Sequence, residues 1–74
     1  MRVKVKVDLN DCGANVYIDR LGFIGVIDWS YAWREYRFMY TSDWMKLTYN
    51  ENSAVQEAVK KPVALLNITQ RLKE

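Results

Sequence analysis

The sequence contains no histidine. That removes the commonest general base, the commonest metal ligand and every Ser–His or Cys–His nucleophile pair. Cysteine is nearly absent too. Cys12 is alone, so no disulfide framework is available, and a lone thiol points to a reducing, cytoplasmic compartment. It sits in a turn signal with acidic Asp8 and Asp11 close in sequence, without the electropositive surroundings that reactive cysteines need. The three glycines, at 13, 22 and 25, do not assemble a phosphate loop. No apolar run approaches the roughly 18 residues of a membrane span. The first residues alternate rather than form the apolar core of a signal peptide. Neither charge sign dominates: 11 basic and 9 acidic residues leave a formal +2. That balance neither demands a nucleic-acid partner nor excludes one.

What is present is aromatic. Three Trp, five Tyr and two Phe bring aromatic content to 14% in 74 residues. A chain of this size is one domain near the lower limit for a self-sufficient core. Not all of its rings can be interior, so some should line a surface.

Residues 2–9 alternate. Val3, Val5, Val7 and Leu9 fall on one side, and Arg2, Lys4, Lys6 and Asp8 on the other. Period two with β-branched residues reads as a half-buried strand. Asn10-Asp11-Cys12-Gly13 is a turn, with Gly13 free to take positive φ. A second strand over 14–19 points Val16 and Ile18 inward and Tyr17 outward. A third, Phe23 to Trp29, is expected to bury Phe23, Gly25, Ile27 and Trp29 and to expose Ile24 and Val26. A fourth runs from Trp33 to Tyr40, with Tyr36, Phe38 and Tyr40 on one side and Trp33, Glu35, Arg37 and Met39 on the other. A fifth, Trp44 to Tyr49, is expected to turn Met45, Leu47 and Tyr49 inward and Trp44 and Lys46 outward.

Beyond Tyr49 the period changes. Ser53-Ala54-Val55-Gln56 fits a capping box. Val55, Ala58, Val59, Pro62, Leu65, Leu66, Thr69 and Leu72 then share a helical stripe, with Ile68 off it. Pro62 should kink this helix, because mid-helix proline removes a backbone bond. The expected fold is therefore α+β: a single domain, 1–49 a five-stranded antiparallel meander and 50–74 one C-terminal helix on one face.

Three local patterns invite chemistry and are read as structural. Asp8 to Gly13 partly echoes a calcium loop, but its fifth position is Cys12, its twelfth is Asp19, and its flanks are strands. Asp28, Glu35 and Asp43 lie in the aromatic segment without a fixed separation and read as solvated charges. Asn67-Ile68-Thr69 matches a glycosylation acceptor but falls inside a helix. No catalytic set, metal or cofactor is expected.

The functional expectation rests on the sheet face away from the helix. A face that meets only water should be mostly polar. This one is expected to collect Tyr17, Ile24, Val26, Trp33, Arg37, Trp44 and Lys46. Trp, Tyr and Arg dominate interface hot spots. The first reading is a protein-binding module, an inhibitor or adaptor of the kind phages and mobile elements carry, which also associates with itself through this face or its edge strands. The second reading is single-stranded nucleic-acid binding, with Lys4, Lys6, Arg37 and Lys46 tracking phosphates beside stacking rings. Asp8, Asp19, Asp28 and Glu35 on the same face weigh against it.

Overall fold

The computed structural model describes residues 2–73. Its sheet has four strands, not five: β1 (Val5–Asn10), β2 (Gly13–Ile18), β3 (Gly22–Ser30) and β4 (Glu35–Tyr40), antiparallel in the order β1-β2-β3-β4. The expected fifth strand is a 3-10 helix, Ser42–Lys46. Thr41 extends the ladder by one bond, its N–H donating to the Ile24 carbonyl at 2.8 Å. The chain then turns away: the Trp44 N–H donates to Thr41 and the Leu47 N–H to Trp44. Asp43 and Lys46 suit the two ends of this short element. Leu47 alone of its expected inward residues is half-buried against the core, while Met45 and Tyr49 are exposed.

β1 and β2 form the expected hairpin, closed by Asn10 opposite Gly13. The Asn10 side chain accepts the Cys12 N–H at 2.9 Å, an Asx turn. Gly13 is required there. Its φ is +148°, and a Cβ would stand 1.9 Å from the Ile27 carbonyl oxygen.

β3 carries a bulge that inverts part of the expected pattern. Val16 faces Gly25 and Tyr17 faces Phe23, so Ile24 is one extra residue. It turns into the core and is fully buried, whereas Phe23 is carried to the outer face and is 41% exposed. The expected exposure of Ile24 and burial of Phe23 are thus both corrected, because strict alternation does not survive an inserted residue.

α1 (Tyr49–Lys73) is one uninterrupted helix with Pro62 inside it. Twenty-five residues span about 37 Å at 1.5 Å each, which sets the molecule's 42 Å long dimension. It starts four residues before the expected capping box. Thr48 and Glu51 form the real one: the Glu51 N–H donates to Thr48 Oγ1 at 3.1 Å and the Thr48 N–H to Glu51 Oε1 at 2.9 Å. Gln56 donates instead to the Tyr40 hydroxyl.

The core is Ala14, Val16, Ile18, Ile24 and Ile27 from the sheet against Val55 and Val59 from the helix. Val63 and Leu66 continue that helical line, half-buried. Leu65 and Leu72, expected on the stripe, are exposed with Ile68. Steps of three and four from Val59 lead to Val63 and Leu66, so the buried line drifts away from Leu65 as α1 crosses the sheet.

Candidate functional site

The outer face is assembled by the strand register. Lys6, Tyr17 and Phe23 form one cross-strand row, and Asn15, Val26 and Met39 the next. Asp28 opposes Arg37 beyond them. Tyr17 and Phe23 pack at 5.7 Å between centroids with a 60° tilt. Met39 is 47% exposed. Since Phe23 and Val26 adjoin along β3, these rows make one apolar band across β2, β3 and β4.

The band ends on Trp33. This residue lies in the β3–β4 turn and is 66% exposed, with the Arg37 guanidinium 4.7 Å from its ring centroid. A cation over a ring holds both groups in place and keeps a flat, polar-edged surface. The turn itself places Arg34 at φ +53°.

Of the residues expected to bind a partner, Tyr17, Val26, Trp33 and Arg37 are brought together on this face. Ile24 is withdrawn into the core by the bulge. Trp44 and Lys46 are not on the face. They belong to the 3-10 helix after β4, while Trp33 precedes β4, so the two Trp residues stand at opposite ends of a six-residue strand. That strand alone spans about 20 Å. Lys46 pairs with Asp43 at 3.4 Å. Trp44 lines a separate shallow groove with Tyr40, Met45, Tyr49 and Gln56. Phe23 and Met39 were not expected here as site residues. The glycine beside Ile24 was the available signal, because Gly inside a strand often marks a bulge.

Charges of both signs are interspersed on the face. Lys6 lies two residues from Asp8 on β1, Arg37 opposes Asp28, and Lys4 sits beside Asp19, whose N–H donates to the Lys4 carbonyl at 3.3 Å. Lys4, Lys6 and Arg37 therefore do not merge into a positive track.

The strongest electrostatic constellation lies elsewhere. Arg20, in the β2–β3 turn, donates from Nε to Glu51 Oε2 at 2.8 Å and from Nη2 to Oε1 at 2.6 Å, and Nη2 also reaches the Lys46 carbonyl at 2.7 Å. The Arg20 hydrogen bonds first, and then the Thr48 N–H, hold the Glu51 carboxyl down at about 2 from its usual 4.5. A carboxylate so weakly basic, with both oxygens occupied, serves the fold rather than proton transfer. Sequence reading placed Glu51 only at a helix start. Among the described residues no group of three His, Cys, Asp or Glu could hold a metal ion, and no helix is long and apolar enough to cross a membrane.

Comparison with family models, with curated proteins and with solved structures finds no match to this chain.

Proposed function

We propose that this chain is a non-catalytic protein-binding module that docks a partner protein through the outer sheet face, as an inhibitor or adaptor of the phage or mobile-element kind. The observation that carries the reading is the continuous band of Tyr17, Phe23, Val26 and Met39, ending on the Trp33–Arg37 stack. An antiparallel sheet face left to water favours polar side chains. Aromatic residues, Met and Arg are instead the types enriched at interfaces. The lone Cys12 suits action in the cytoplasm.

Nucleic-acid binding is the second reading, and the carboxylates interspersed among the basic residues disfavour it. Lys4, Lys6 and Arg37 each lie near a carboxylate, so phosphate would meet little net positive potential.

The test compares the full chain with Trp33→Ala and Met39→Lys, both at exposed positions. Proteins retained by the immobilised chain are measured alongside binding of a fluorescent single-stranded oligonucleotide at low salt. The reading expects a retained protein that both variants lose while their circular dichroism is unchanged. Retention indifferent to both substitutions overturns it, and salt-sensitive oligonucleotide binding replaces it with the second reading.

A further inference from the structure

The two edges of the sheet are treated differently. On β4, the Tyr36 N–H donates to Asn67 Oδ1 at 2.6 Å, and the Asn67 side-chain amide donates to the Tyr36 carbonyl at 3.2 Å. One carboxamide from α1 thus meets both backbone groups of Tyr36, as the peptide of a fifth strand would. On β1 nothing comparable exists. Asn10 closes a two-residue hairpin, so Lys4, Lys6, Asp8 and Asn10 spend their backbone groups on β2. The N–H and C=O groups of Val5, Val7 and Leu9 then point outward, and among the described residues no hydrogen bond reaches them.

This open edge is bordered by apolar surface. Val3 and Val5 share a groove with Ala54 and Ala58, and Leu9 shares another with Pro62, Leu65 and Ile68. Leu9 is 60% exposed although its side chain is on the core side. An edge strand with free backbone groups and apolar flanks is a template for another strand.

We propose that β1 pairs antiparallel with β1 of a second copy, centred on Val7, to give a continuous eight-stranded sheet with both helices on one face. The charges select that register. Centring on Lys6 or Asp8 would set Lys6 against Lys6 or Asp8 against Asp8, and centring on Val5 would set Lys6 against Lys4. Centring on Leu9 sets Lys6 against Cys12 and Asp8 against Asn10, with no ion pair. Centring on Val7 sets Lys6 against Asp8 of the second copy, twice over, on the outer face. On the inner face it sets Val5 against Leu9. The groove at Ala54 and Ala58 then meets Leu65 and Ile68 of the second copy, large side chains against small. Lys61 lines both grooves near the axis, where its long stem can carry the ammonium out to water. A two-fold relation makes the contact closed and self-complementary. The proposal does not rest on the outer-face reading, since Trp33 and Met39 are not on β1.

Sedimentation equilibrium of the full chain tests it. The wild-type protein should sediment at twice its 8.8 kDa mass at micromolar concentration. Lys6→Glu and Asp8→Lys, each at an exposed position, should each weaken self-association about tenfold or more. Lys6→Glu/Asp8→Lys together should restore it, a rescue that a general loss of folding cannot produce. Amide exchange at Val5, Val7 and Leu9 should slow as concentration rises. A wild-type protein that stays at monomer mass throughout overturns the proposal. So does dimerisation indifferent to the single charge changes, or a double variant as weak as the single ones.

Discussion

β1 and β4 are both edge strands, and both turn alternate valine or aromatic side chains toward α1. Only β4 is closed. The difference comes from one residue: Asn67 reaches back to Tyr36, while among the described residues no helix side chain beside β1, Lys61 included, hydrogen-bonds its backbone. An edge can be protected by a single side chain that imitates a peptide, and an edge without one stays available for pairing.

The most damaging way to break this comparison is to spoil the β1 side itself. Gly13→Ala would press a Cβ onto the Ile27 carbonyl and force an L residue to φ +148°. A loss of about 3 kcal/mol or more is expected in urea unfolding. The β1–β2 hairpin should be disrupted first, read as early amide exchange in β1 and β2 relative to β4.

Asn67→Ala should make the two edges alike. Two hydrogen bonds are lost and the Tyr36 backbone groups go unpaired, so about 1–2 kcal/mol should disappear. The Tyr36 amide should change from protected to rapidly exchanging, and aggregation should increase because β4 becomes a second template. Unchanged exchange at Tyr36 would show that the carboxamide is not what closes the edge.

These expectations also show why some features were legible in the sequence and others were not. Val5, Val7, Val16 and Ile18 announce β1 and β2, because a half-buried strand needs only a period of two. Arg37 was assigned to its face for the same reason, whereas Trp33, expected at the start of the fourth strand, lies in the turn before β4. Ile24 was not, since a bulge is decided by how β2 and β3 fit and not by β3 alone. Ser53 and Gln56 repeat the spacing of Thr48 and Glu51, so spacing alone cannot choose between two capping boxes. The choice is made by Arg20, distant in sequence, which needs Glu51. Trp44 and Lys46 were misplaced because an amphipathic run of six residues reads alike as a strand or as a connection that turns. Asn67 looked like an incidental polar residue, since its partner is a backbone 31 positions away.

The smallest effect at neutral pH separates the two ends of α1. Arg20 and Glu51 anchor the first turn, and Asn67 anchors a later one. Glu51 has a folded pKa depressed to about 2 from 4.5. Its contribution is therefore present in full above 4.5 and is lost as pH falls from there through 2. Thermal melts should weaken across that window, and Glu51→Gln should flatten the dependence. Asn67 does not titrate, so the Tyr36 amide should stay protected in acid after the Thr48 amide has begun to exchange.

The Asn67 carboxamide has a further consequence, in time rather than in space. Tyr36 precedes Asn67 by 31 residues, so β4 emerges from the ribosome before the carboxamide that caps it. During that interval the newborn chain can have a β4 strand but no carboxamide to cover it. Crowded polysomes would bring such chains side by side at that moment. The order in which β4 and Asn67 emerge therefore bears on yield in a way the finished molecule, with Tyr36 already capped, no longer reveals.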